Sequence, residues 1–261
     1  KLYRIFKKSI RGDGMDIRQP IIHDRHVVKQ FFENMKSQNL YKNAFKMPKD
    51  LTIVTCRNDG SMEDRIIDHL KGYEEKSILE SNLEYLGIDD LVVLRDTRLP
   101  WRNTFKFEML NNYLNSGKCK TKYFMCCDAI DVIFKDNPQK VIDIFETFDC
   151  EALFMSTHSV DGYNCMTEVK EFVDRINGGN GRYLNSGVYI AKTDFIKEVI
   201  DEAMNYALPH GVTMDEYREY LNSNPSNYPQ GSQDQDIFRF LESKFYPKIK
   251  VDYRNVMAYR S

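Results

Sequence analysis

The sequence is short of the features that mark several common functional classes. Its 261 residues hold one tryptophan and five histidines. The six cysteines (Cys56, Cys119, Cys126, Cys127, Cys150 and Cys165) form no Cys-x-x-Cys pair and no zinc-ligand spacing, which argues against zinc modules and dithiol chemistry. Three of them, Cys56, Cys126 and Cys127, fall in apolar strand-like runs, where a reduced thiol acts as a small hydrophobe. A reducing, cytoplasmic compartment is the expectation that follows. No apolar run approaches the roughly 20 residues that span a bilayer, and nothing resembles a signal peptide. Neither a Gly-x-Gly-x-x-Gly nor a Gly-x-x-x-x-Gly-Lys-Ser/Thr motif occurs, so dinucleotide and P-loop sites lose their main support. Neither charge sign dominates, with 37 basic and 39 acidic residues. Without a global positive field, no nucleic-acid partner is expected.

What the chain does have centres on Tyr123 to Phe134, Tyr-Phe-Met-Cys-Cys-Asp-Ala-Ile-Asp-Val-Ile-Phe. Its first five residues form the apolar run of a strand buried on both faces. Asp128 and Asp131 follow, with apolar residues directly behind them. Two carboxylates at the mouth of a buried strand need compensation, because an unpaired buried charge costs several kcal/mol or more. A divalent cation supplies it. Oxygen ligands favour Mg²⁺ or Mn²⁺, and such ions commonly hold a substrate phosphate. The local alternative is a turn cap and a Lys or Arg pair, since Asp-x-x-Asp is a short pattern.

Strand-like and helix-like segments alternate along the chain. Leu51 to Cys56 is a first strand, ending in the turn-rich Arg57-Asn58-Asp59-Gly60-Ser61, with helical sequence from Met62 to Tyr73. Leu91 to Leu94, Tyr123 to Cys127, Ala152 to Ser156, the run after Arg182 and Lys248 to Asp252 read as further strands. Helices are expected over Lys106 to Leu114, from Asn137-Pro138, over Val169 to Ile176, after Asp194 and over Ile237 to Lys244. The loop 177–181 is glycine-rich and permits close backbone approach to a ligand. This alternation predicts an α/β fold with a mixed, mostly parallel sheet flanked by helices. Before residue 47 the chain reads as a helical N-terminal arm, residues 1–46, with one helix starting near Pro20. Residues 1–11 carry Leu2, Ile5, Phe6 and Ile10 at helical spacing among basic residues, a segment able to lie on an anionic membrane surface or to pack on the domain.

Three segments taken together resemble the GT-A glycosyltransferases: Asp128-Ala-Ile-Asp131, Tyr183-Leu-Asn-Ser-Gly-Val-Tyr-Ile190 and Ser232-Gln-Asp-Gln-Asp236. The similarity is to the glycosyltransferase domain of procollagen lysyl hydroxylases, and more distantly to the glycogenin and lipopolysaccharide galactosyltransferase families. It implies a Rossmann-like GT-A domain over residues 47–261. The activity implied is a metal-dependent, retaining transfer of a hexose from a UDP-sugar to a hydroxyl acceptor, whether a glycan, a lipid-linked saccharide or a hydroxylated protein. By the same resemblance Asp128 and Asp131 bind Mn²⁺ or Mg²⁺ on the diphosphate. Thr55, Cys56 and Asp59 contact uracil and ribose, and Trp101 and Lys106 cover the donor. Asn185 and Ser186 lie beside the sugar, while Asp234 and Gln235 face the reacting centre. One departure stands out: these families complete the metal site with a histidine near the C-terminal end of the domain, and here no histidine follows His210. Three explanations are open: the sequence stops short of it, the third position falls to water or substrate oxygen, or the enzyme is weakened. A catalytically silent, sugar-nucleotide-binding domain and a sugar-nucleotide nucleotidyltransferase remain the alternative readings. The loop after the first strand is a poor match to the glycine-rich basic loop of the latter.

Overall fold

The computed structural model describes residues 19–59, 72–73, 75–99, 101–160, 166–178, 181–207 and 233–260. Residues 1–11, the helical sequence over 62–71, Cys165, His210 and the stretch 208–232 lie outside the described residues.

Two sheets organise the rest. The larger has six strands: β2 (Leu51–Asn58), β3 (Val92–Asp96), β4 (Tyr123–Cys127), β6 (Ala152–Thr157), β7 (Tyr183–Lys192) and β8 (Ile249–Asp252), in the order β3-β2-β4-β7-β6-β8. Its strands run parallel except β7, which is antiparallel to both β4 and β6. The expected mixed, mostly parallel sheet is what forms. Its strands lack the in-out alternation of a half-wet sheet because helices cover both faces. On one face, Leu153, Met155, Val188 and Ile190 join the apolar sides of α1 (Val28–Ser37), α2 (Ile78–Leu86) and α4 (Gln139–Phe145). On the other, Phe124, Phe154 and Tyr189 pack with α3 (Phe105–Asn115), α6 (Thr193–Ala203) and α7 (Asp234–Phe245). The remaining helix, α5 (Thr167–Ile176), closes a small cluster around Met166 and Tyr183. Phe238 of α7 sits against Phe107, Phe154 and Tyr189 at ring separations of 5.1, 4.9 and 5.3 Å.

Local signals explain where several helices start. Ser77 and Glu80 make a reciprocal capping box at α2, and Gly87 ends it with φ +89°, the left-handed conformation that glycine adopts without strain. Asn137 accepts the Gln139 backbone N–H at 2.9 Å, as expected for the start of α4. Asp194 lies inside the first turn of α6 rather than capping it, favoured there by the helix dipole.

The smaller sheet is the main departure from the sequence reading. The helix expected from Pro20 starts only at Val28, and Ile21–His23 is instead a strand, β1. It runs antiparallel to β5 (Val132–Phe134) and parallel to β9 (Ala258–Tyr259). Ile21 and Ile22 are fully buried in the core that also holds Phe134 and Leu153. A β-branched pair bounded by a proline satisfies its backbone groups better in a ladder than in a frayed helix end. Asp24 then ends the strand: its backbone carbonyl accepts from Val27 and Val28, and its carboxylate from the His26 N–H. Among the described residues no helix is long and apolar enough to cross a membrane.

Candidate active site

The Asp-x-x-Asp segment is the crossing from the large sheet to the small one. Asp128 directly follows β4, its N–H donating to the Gly187 carbonyl at 2.8 Å, and Asp131 precedes β5. The pairing of β1 with β5 sets His23 opposite Val132, and the Asp24 N–H donates to the Asp131 carbonyl at 3.0 Å. The His23 imidazole is thereby fixed beside both aspartates, with Nε2 3.2 Å from Asp131 Oδ2 and 3.7 Å from Asp128 Oδ2. One ligand atom from each of the three residues lies within 4.8 Å of the others. Asp131 Oδ1 is buried and has no hydrogen-bond partner among the described residues. An imidazole nitrogen and two carboxylates, one of them with an unsatisfied oxygen, are a donor set suited to a divalent cation. Burial acts to raise the Asp131 pKa, yet His23, with Arg260 and Arg25, brings it down to about 2.

This triad explains Gly187. A Cβ there would stand 2.2 Å from His23 Cε1, closer than real side-chain contacts come. The glycine is therefore a space requirement of the imbedded imidazole. It sits in an irregular stretch of β7: Tyr189 pairs with Phe154 but Asn185 pairs with Met155, so Ser186, Gly187 and Val188 have no partners on β6. The slack turns Asn185, Ser186 and Gly187 toward a cavity of about 290 Å³.

On the opposite wall, Lys106 of α3 donates to Asp128 Oδ1 at 2.7 Å and to Asp234 Oδ2 at 3.0 Å. Burial works against its ammonium, but the two carboxylates hold its pKa well above the ordinary lysine value. Asp234, the first residue of α7, is 4% exposed, and Asn185 Nδ2 donates to Gln235 Oε1 at 2.6 Å. Toward the mouth, Trp101 Nε1 donates to Asn103 Oδ1 and Asn103 Nδ2 to Gln233 Oε1, tying the tryptophan's loop to the start of α7.

The structure brings Cys56, Trp101, Lys106, Asp128, Asp131, Asn185, Ser186, Asp234 and Gln235 to one cavity. Thr55 and Asp59 are not on its wall. Thr55 is fully buried, its hydroxyl donating to the Cys127 carbonyl at 2.8 Å, so it stitches β2 to β4. Asp59 pairs with Arg57 at 2.7 Å and Arg95 at 3.1 Å. Arg57 and Asn58 line the cavity on that side. Cys56 reaches the wall as a protonated thiol, since Cys126 and burial push its pKa well up. The histidine beside the two aspartates is one that the sequence did not single out, His23 of β1. His158 is exposed and faces the Gly181 carbonyl. His23 escaped notice because Pro20-Ile-Ile-His reads as a helix start. Its one sequence signal is that two β-branched residues running into His23-Asp24 repeat the layout of β4 running into Asp128.

A mostly parallel sheet flanked by helices, with Asp128 at the carboxyl end of β4 and with His23 and Asp131 brought beside it by the smaller sheet, is the arrangement of a GT-A, Rossmann-like glycosyltransferase fold. The particular family follows from sequence: the model described as PLOD GT domain matches residues 51–207, and the chain belongs to this family of lysyl hydroxylase glycosyltransferase domains. His23, Asp234 and Gln235 lie outside the matched range. No curated protein sequence matches the chain significantly. Among solved structures, it is similar to the apo form of mouse xyloside xylosyltransferase 1, with 10% identity, TM-score 0.43, and 78% of this chain and 85% of that one covered. It is also similar to 4-diphosphocytidyl-2C-methyl-D-erythritol synthase from Anaerococcus prevotii, with 9% identity, TM-score 0.32, and coverages of 75% and 99%.

Proposed function

We propose that this glycosyltransferase domain moves a hexose from a UDP-sugar to a hydroxyl acceptor, with retention, using Mn²⁺ or Mg²⁺ held by His23, Asp128 and Asp131. The observation that carries the reading is the grouping of those three residues on the wall of the cavity that Asn185 and Asp234 also line. These residues would hold the cation, which would supply charge compensation to the departing diphosphate. Lys106 keeps Asp128 and Asp234 oriented, while Asn185, fixed by Gln235, positions the sugar. Retention is supported by the acid groups available. Inversion needs a carboxylate free to take the acceptor proton. Among the described residues, the cavity's one carboxylate apart from Asp128 and Asp131 is Asp234, which is buried and ion-paired with Lys106. The acceptor class is a hydroxyl on a glycan, a lipid-linked saccharide or a hydroxylated protein. The place of His23 beside both aspartates supports this reading over that of a catalytically silent domain.

Calorimetric titration of UDP with and without Mn²⁺ tests the reading on the wild type and on the Asp128→Ala/Asp131→Ala variant. Metal-dependent UDP binding that the variant loses, with hydrolysis of at least one UDP-hexose by the wild type, is the expected result. UDP binding that ignores both metal and substitution would overturn it.

A further inference from the structure

The small sheet carries more than the imidazole. Arg25 lies in the turn between β1 and α1, two residues beyond His23, and Arg260 directly follows β9. The pairing of Ile22 with Tyr259 brings Arg260 level with His23 on the neighbouring strand. Both arginines line the cavity and both act electrostatically on Asp131. Neither forms an ion pair among the described residues, unlike Arg57, which is held by Asp59 and Glu80.

The charges on the wall suggest what they are for. Asp128, Asp131 and Asp234 are offset by Lys106 and by the divalent cation proposed above. A diphosphate entering this site therefore brings negative charge that only unpaired cations can balance. A guanidinium fork matches phosphate oxygens bidentately, which a single ammonium cannot do.

We infer that Arg25 and Arg260 form a two-arginine clamp on the diphosphate of the donor, one from the end of the strand that carries His23 and one from the strand beside it, so that β1 and β9 deliver metal ligand and anion contacts as one unit. The inference rests on the sugar-nucleotide reading of the cavity and assigns two positioning residues to it. The clamp strengthens as the glycosidic bond breaks, because the leaving diphosphate then gains a further negative charge.

The test uses the whole chain and two probes, Mn²⁺ with pyrophosphate and Mn²⁺ with UDP, titrated calorimetrically. Mn²⁺ alone is followed by electron paramagnetic resonance. Arg25→Gln and Arg260→Gln should each weaken pyrophosphate about tenfold and together about a hundredfold, with a shallower salt dependence. Mn²⁺ affinity without the anion should stay at the wild-type value, and Arg→Lys variants should recover part of the loss. Wild-type pyrophosphate affinity in the double variant would overturn the clamp. So would a parallel fall in Mn²⁺ affinity, or no pyrophosphate binding by the wild type. If pyrophosphate binds through both arginines but UDP binds no tighter, the clamp stands and the UDP-sugar reading fails.

Discussion

The two sheets are built from similar apolar material and differ in what they carry. In the six-stranded sheet β4, β6 and β7 are buried almost throughout, and β4 and β7 deliver Asp128 and Asn185 at one end. The three-stranded sheet is held by eight residues in all, yet His23, Asp131, Arg25 and Arg260 sit at its ends. A long sheet buried on both faces is rigid and positions what is attached to it. A short one has little core of its own, so its geometry depends on the larger sheet beneath. The lesson is a division of labour: the large sheet and its helices set where the cavity is and bring Asp128, Asp234 and Lys106 to it, and the small sheet adds His23, Asp131 and the two arginines.

The largest expected effect separates the two by stability and function together. Leu153 on β6 and Ile22 on β1 are both fully buried in one apolar cluster. Truncating either to alanine should cost about 2–5 kcal/mol in denaturant unfolding. Among the molecules that remain folded, Leu153→Ala should keep wild-type Mn²⁺ affinity, whereas Ile22→Ala should lose it about tenfold or more by loosening His23. Equal losses of metal affinity in the two variants would erase the distinction.

A second contrast is in pH, measured without metal. Glu242 of α7, behind the large sheet, is fully buried, accepts the Tyr253 hydroxyl at 3.0 Å, and burial raises its pKa to about 7. Its folded pKa exceeds its unfolded one. The stability tied to its neutral form is present in full below about pH 4.5 and lost as pH rises through 7, a span of about 3 kcal/mol. Glu242→Gln should flatten that slope. Asp131 has the opposite sign, being depressed to about 2 by His23 and the arginines against the pull of burial. Its contribution, about 2 kcal/mol, is present above the ordinary carboxylate range and lost as pH falls toward 2. Asp131→Asn should remove the acid-side loss alone. A swap of those two slopes would show that the sheets had been assigned the wrong charges.

The same division decides what could be read from the sequence. The strands of the large sheet are long apolar runs ending in polar turns, and β2, β4, β6 and β8 fall within a few residues of where those runs lie. That Asp128, Asp131, Asn185, Asp234 and Gln235 meet in one cavity was legible because each sits in a dense local motif. His23 was not, because nothing local distinguishes a strand of three residues from a helix start. β1 is stable only through β5 and β9, which lie more than a hundred residues away in sequence. Thr55 shows the converse error: next to a loop that bounds the cavity, it turns inward to the Cys127 carbonyl. A residue's position in a motif places its backbone, and strand alternation decides which way the side chain goes.

The smallest effect is the sharpest probe of how the sheets are joined. Gly187 belongs to the large sheet and His23 to the small one, and they meet where an added Cβ would overlap the imidazole. The backbone of Gly187 is not in the left-handed region, so alanine is opposed there by the lack of space alone. Gly187→Ala should cost about 1–3 kcal/mol and weaken Mn²⁺ about tenfold by displacing His23. In a His23→Ala background the same substitution should be nearly neutral for stability, because the overlapping ring is gone, and metal affinity should not fall further. The coupling from this double-mutant cycle should recover most of the cost of the single variant. Additive costs would mean that Gly187 serves the β7 backbone and that the two sheets are joined elsewhere. Strong coupling would establish the contact between glycine and imidazole as the point through which the scaffold holds His23 in place.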